Sequence, residues 1–116
     1  MGNPNRTIRR KEITELAQQT CLRIWSDQMP KDWRVYLVRK TVIQRIHGRS
    51  ICGVLLRRDK RILVGRHTKH YSFQTLVHEL AHLRALEEPV DHGPIWDYEF
   101  NRVARPLLDS ELQTNL

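Results

Sequence analysis

The spacing of apolar positions changes character twice along the chain. From Thr7 to about Asp27, residues Ile13, Leu16, Ala17, Thr20, Cys21 and Ile24 recur at intervals of three and four. That period sets them on one stripe of an amphipathic helix, and such a stripe packs against a core. Asn5 or Thr7 offers an N-cap, and Met29-Pro30 is expected to end the helix. Arg34 to Arg39, Ile51 to Arg57 and Arg61 to Arg66 then read as strands, the last two joined as a hairpin through Arg58-Asp59-Lys60. Thr41 to His47 is expected to extend the pairing of the first strand, with a turn at Gly48-Arg49. The middle of the chain is thus expected to be a small antiparallel sheet, and Arg61 to Arg66 leads toward a second helix.

That helix is predicted over Tyr71 to Leu86, with Leu76, Leu80 and Leu83 in one row and Val77 and Ala81 beside it. Ser72 suits its N-cap, and Tyr71 just before it is placed to pack against Leu76 as a hydrophobic staple. Glu87-Glu88-Pro89 closes the helix. Pro94 fits the first position of a third one, whose apolar face is Trp96, Phe100 and Val103 and which Pro106 stops. Residues 107–116 read as a loosely held tail. The expected class is α+β in one domain, residues 1–116: an N-terminal helix, a small antiparallel-rich sheet, a middle helix and a C-terminal helix. Trp25 and Trp33 are expected to serve only in packing.

The middle helix carries the informative segment, His78-Glu79-Leu80-Ala81-His82. Residues four apart share a helix face, so both imidazoles converge on one point, a good arrangement for zinc. Glu79 flanks that point without being a ligand and is placed to accept a proton from a water activated there. A catalytic zinc site takes three protein ligands and keeps one position open. His92, just before Gly93-Pro94, is the best third candidate; Asp91, Glu88, Glu87 and Glu99 are the alternatives. His47, His67 and His70 are expected to face solvent, with His70 able to line a cleft. Tyr98 could reach a substrate oxyanion, although a half-buried structural role fits it better.

Charge adds a second feature. The net charge of +7 is unevenly spread: residues 1–70 carry 17 Lys and Arg against 5 Asp and Glu, whereas residues 71–116 carry 3 against 8. The basic part suits a polyanionic partner, DNA or RNA, held chiefly through phosphates, since no aromatic-and-basic pattern for base stacking stands out. The acidic part surrounds the histidine motif and favours a bound dication. No apolar run approaches the roughly 18 residues of a membrane span, and the polar start from Met1 lacks the apolar centre of a leader peptide. The expected location is the cytoplasm, with no membrane partner. Cys21 and Cys52 are too few for a disulfide scaffold and form no Cys-x-x-Cys, so both are expected to be buried free thiols.

The run Thr75 to His82 resembles the metal helix of the SprT-like zincin metalloproteases, with WLM and small gluzincin-like groups close by. His92-Gly93-Pro94, followed by Trp96, is similar to the segment that supplies that family's third ligand. The stretch from His82 to His92 is shorter than is usual there. The resemblance covers the layout of residues 34–105 and recognisable motif only over residues 75–96. It implies a minimal zincin-like fold and Zn2+ held by His78, His82 and His92. It also implies Glu79 as the catalytic glutamate and a protein or peptide substrate laid along the sheet edge near Arg61 to Arg66. Three functions are compatible with these residues. One is a zinc metallopeptidase, with nucleic-acid-associated proteins among its candidate substrates. The others are a nucleic-acid-associated binding protein with a structural or vestigial zinc site, and a zinc hydrolase of non-peptide bonds. Glu79 favours the catalytic readings, because a structural site needs no base beside its ligands.

Overall fold

The computed structural model describes residues 10–47, 52–89 and 92–106. The caps expected at Asn5 and Thr7, the turn at Gly48-Arg49 and the C-terminal tail lie outside them. The elements are α1 (Arg10–Trp25), β1 (Arg34–Val38), α2 (Lys40–His47), β2 (Gly53–Leu56), β3 (Arg61–Gly65), α3 (Lys69–Arg84), α4 (Pro94–Asp97) and a π-helix (Tyr98–Ala104) that continues α4. The class is α+β, as the alternation of periods implied.

The apolar stripe of α1 supplies Ile13, Ala17 and Cys21 to the main core, and α3 supplies Leu76, Leu80 and Leu83. Both helices lie on the sheet face that presents Val35, Leu37, Ile62 and Val64, and Trp33 and Met29 fill the same core. Leu76 and Leu80 are fully buried, so α3, the helix that carries the histidine motif, is fixed by its opposite row. The first helix stops earlier than the Met29-Pro30 signal suggested. Ser26 takes a left-handed conformation (φ 55°), and its N–H bonds Leu22 O at 2.9 Å, ending the helix by a C-terminal turn.

The sheet departs from the expected antiparallel arrangement. Its order is β1-β3-β2, with β1 and β3 parallel and β2 and β3 antiparallel. Parallel neighbours require a crossover, and the segment Thr41 to His47 provides it as helix α2 rather than as a strand. Its β-branched residues suggest a strand, yet Ile43 is buried completely from a helical position. At Gly65, a Cβ would lie 3.5 Å from Ile43 Cδ1 and 3.3 Å from Lys40 Cγ, so α2 covers that end of the sheet face opposite α1 and α3. Arg61–Gly65 is the central strand, hydrogen-bonded on both sides, so it has no edge to offer a substrate strand. Among the described residues the edge next to α3 is β2.

The start of α3 is also displaced. Thr68 is the N-cap, its hydroxyl accepting from the Tyr71 N–H at 3.5 Å. Ser72 lies inside the first turn and is buried; its hydroxyl donates to Gly65 O at 3.3 Å and accepts from the His67 N–H at 3.1 Å. Tyr71 is 58% exposed, so it forms no staple with Leu76 and packs instead on the His67 ring. The two cysteines are free; Cys21 is buried as expected, whereas Cys52 is exposed. Burial pushes the Cys21 thiol up to about 11. Among the described residues no helix is long and apolar enough to cross a membrane.

Ser72 joins the end of the central strand to the metal-motif helix through a buried hydroxyl. Ser72→Ala strands the Gly65 carbonyl and the His67 N–H and is expected to cost about 1–3 kcal/mol. Urea denaturation checks this; an unchanged midpoint would mean that the hydroxyl does not hold these elements together.

Candidate metal centre

One turn of α3 separates His78 from His82, and their Nε2 atoms lie 3.2 Å apart. Beyond Arg84 the chain reverses, and His92 Nε2 returns to 3.2 Å from His78 Nε2. The ligand atoms of His78, His82 and His92 all lie within 4.8 Å of one another, and these three histidines could hold a metal ion. Zinc bonds of about 2.0–2.1 Å in a tetrahedron put neighbouring nitrogens about 3.3 Å apart, close to the spacing observed. Two nitrogens facing His78 Nε2 compete for one lone pair or one proton, and a shared cation removes that competition. His82 also lies in the last turn of α3, where the helix carbonyls favour positive charge.

Glu79 sits beside the group. It is only 6% exposed, and its Oε2 is 3.9 Å from His78 Nε2. Its stem runs against the first residue of β2: a Cβ on Gly53 would lie 3.3 Å from Glu79 Cγ and 2.5 Å from Thr75 Cγ2. Glycine at that position is what lets α3 pack this close to the sheet with Glu79 between them.

The other candidate ligands have different partners. Glu88 spends both carboxylate oxygens on the α4 N-terminus: the Ile95 N–H donates to Oε2 at 2.6 Å and the Trp96 N–H to Oε1 at 3.0 Å. Glu99 accepts from the Trp25 indole N–H at 2.6 Å, so Trp25 ties α1 to the π-helix besides packing. Glu87 is exposed, and Asp91 lies outside the described residues. His67 stands outside the group, its Nδ1 accepting from the Thr68 N–H at 2.8 Å. The side chains of His47 and His70 are not among those described. Tyr98 is exposed rather than half-buried.

Two residues have a different part from the one their sequence positions suggested. Trp96 reads as core, yet its ring walls the site, with centroids 4.2 Å from His92, 5.1 Å from His78 and 5.4 Å from His82. Its indole N–H points at His78 O, 3.4 Å away, and Phe100 stacks behind it at 5.0 Å while meeting the His78 ring edge-on. Phe100 lies in the π-helix, a wide-turn element that recurs at functional sites. The second residue is Glu88. His92 holds a left-handed backbone (φ 54°), and Glu88 anchors the turn from the far side. A Cβ on Gly93 would fall 2.6 Å from the Glu88 carboxyl carbon, so a side chain there would displace the carboxylate.

Comparison with family models, with curated proteins and with solved structures returns no match to this chain.

Glu88 and Gly93 shape the turn that delivers His92. Glu88→Ala and Gly93→Ala are each expected to weaken metal binding by about 10–100-fold, the usual effect of losing a ligand's support. Competition against a chromophoric zinc chelator measures it, with Glu87→Ala as the silent control. Wild-type affinity in both variants would mean that His92 needs no such support.

Proposed function

We propose that this chain is a zinc-dependent metallopeptidase in which His78, His82 and His92 hold the metal and Glu79 is the general base. The observation that carries the reading is the buried Glu79 carboxylate, 3.9 Å from the shared nitrogen of a donor group that numbers three among the described residues. Three protein donors leave a tetrahedral ion one open position, whereas closed structural sites take four. Bound zinc would supply a Lewis acid for the scissile carbonyl and make water acidic enough to lose a proton near neutral pH.

The chain's own residues account for the proton. Glu79 accepts it at a carboxylate oxygen as the water oxygen bonds to the carbonyl carbon. It returns the proton to the amide nitrogen as the C–N bond breaks, so the carboxylate is regenerated. Burial of Glu79 against Gly53 and Thr75 fixes the carboxylate beside the histidines. Trp96 and Phe100 hold the imidazole planes and shield one side of the group from water. The edge of β2, which begins at Gly53 under Glu79, is the place for an extended peptide to add as a strand; β3 is already paired on both sides. In the alternative reading the chain is a nucleic-acid-associated binding protein with a structural zinc, and Glu79 then has no chemical task.

Purified protein made without chelator is expected to carry one zinc per chain by elemental analysis, and His78→Ala or His82→Ala to lose most of it. Glu79→Gln keeps the shape but cannot take a proton. With unfolded casein as substrate its turnover is expected to fall by about 10²–10⁴-fold at unchanged zinc content. Absence of a stoichiometric metal would sink the metal centre, and undiminished cleavage by zinc-loaded Glu79→Gln would sink the role of the glutamate.

A further inference from the structure

The sheet face opposite α1 and α3 is only partly covered. Alternation along the strands puts Arg34, Tyr36 and Val38 of β1 on that face, with Arg61, Leu63 and Gly65 of β3. The register sets Arg34 beside Arg61 and Tyr36 beside Leu63, and on the other flank it sets Leu56 beside Arg61. α2 covers the Gly65 end. At the far end Arg34 and Arg61 are exposed, as is Arg58 in the adjoining turn, and Tyr36 shows 42% of its surface. The Arg61 guanidinium carbon lies 5.6 Å from the centre of the Tyr36 ring. Among the described residues none of these three arginines has a carboxylate within ion-pair distance, while the nearby Asp32 is taken by Lys60.

The arrangement is invisible in the linear sequence. Tyr36 and Arg61 come from strands far apart in the chain and meet only because β1 pairs with β3 in parallel. An aromatic ring presented on a sheet face, with guanidinium groups on its borders that pair with no carboxylate among the described residues, has two chemistries to offer. The ring stacks on flat unsaturated groups, and the arginines hold anions by charge and by bidentate hydrogen bonds. A single-stranded polynucleotide supplies both at repeating distances: exposed base faces and a chain of phosphates. A duplex keeps its bases stacked inside, and an acidic peptide has no base faces, so neither uses the ring.

We propose that this face is a docking surface for single-stranded nucleic acid, with one base stacked on Tyr36 and adjoining phosphates held by Arg34, Arg58 and Arg61. It lies on the side of the sheet away from α3, so it is separate from the histidine group and does not depend on the peptidase reading. Stacking on Tyr36 gives grip without reading the base, so binding tolerates sequence. The phosphate contacts make it salt-dependent.

The test uses the full chain and a fluorescein-labelled oligothymidylate of about 16 nucleotides, a length within the range that one small stacking module spans. Anisotropy is expected to show binding that weakens as salt rises. Tyr36→Ala should weaken it roughly 5- to 150-fold, the worth of one base–aromatic stack, whereas Tyr36→Phe keeps wild-type affinity. Replacing Arg34 and Arg61 together by Glu should lower the slope of log affinity against log salt by about 1.4, two single-strand phosphate contacts. Tyr36 is exposed, so thermal unfolding of the Ala variant is expected to match wild type. Treatment with a zinc chelator that leaves the fold intact should leave oligonucleotide binding unchanged. No binding at low salt overturns the proposal. So does a duplex or polyglutamate bound as tightly as the single strand, or a Tyr36→Ala variant that binds like wild type.

Discussion

A short reversal of the chain assembles the histidine group on which the rest of the candidate site depends. Between Arg84, the last residue of α3, and Pro94, the first of α4, the backbone must turn and place His92 against His78. The turn contains a non-glycine residue in the left-handed region, which costs on the order of 1–3 kcal/mol. Against this, Glu88 accepts two backbone N–H bonds at the α4 N-terminus, and hydrogen bonds to a charged group contribute about 1.5–3 kcal/mol each. The bonds offset the strain, so the turn that carries His92 has support of its own. Gly93 is part of the same solution, because a side chain there would displace the carboxylate.

The fold holds its site from two sides. On one, Leu76 and Leu80 anchor α3 in the main core, and the bare backbone of Gly53 lets β2 approach Thr75 and Glu79. On the other, Trp96 and Phe100 lie against the histidines, while Val77 and Ala104 form a smaller core between α3 and the π-helix. Trp25 reaches across from α1 to Glu99, and Arg84 lies over the Trp25 ring. The elements around the three histidines are therefore braced by packing and by hydrogen bonds, a condition for imidazoles to keep their spacing.

The parallel pairing of β1 and β3 has effects beyond the core. It makes β3 central and leaves the β2 flank as the edge beside α3. It also brings an arginine of one strand over a tyrosine of another on the opposite face. One choice of strand order thus moves the available edge and assembles a basic, aromatic surface from residues that are unremarkable when read singly.

What the sequence alone determined is the local geometry. The interval between His78 and His82, the intervening Glu79, the apolar row Leu76, Leu80 and Leu83 and the proline at the start of α4 all act within one or two helical turns. Helix geometry translates such spacings directly into positions. His92 was also legible, because a histidine before Gly-Pro sits where a returning chain must turn. The tertiary structure decided the rest. Thr41 to His47 became a helix because parallel strands need a crossover, a requirement that no local propensity expresses. Glu88, weighed as a ligand, became a cap because its carboxylate meets the α4 backbone first. Trp96 became a wall of the site, and Tyr36 acquired Arg61, through contacts between segments that are neighbours only after folding. Periodicity reports which way a side chain faces on its own element. What it faces depends on how the elements pack, and that is a property of the whole chain.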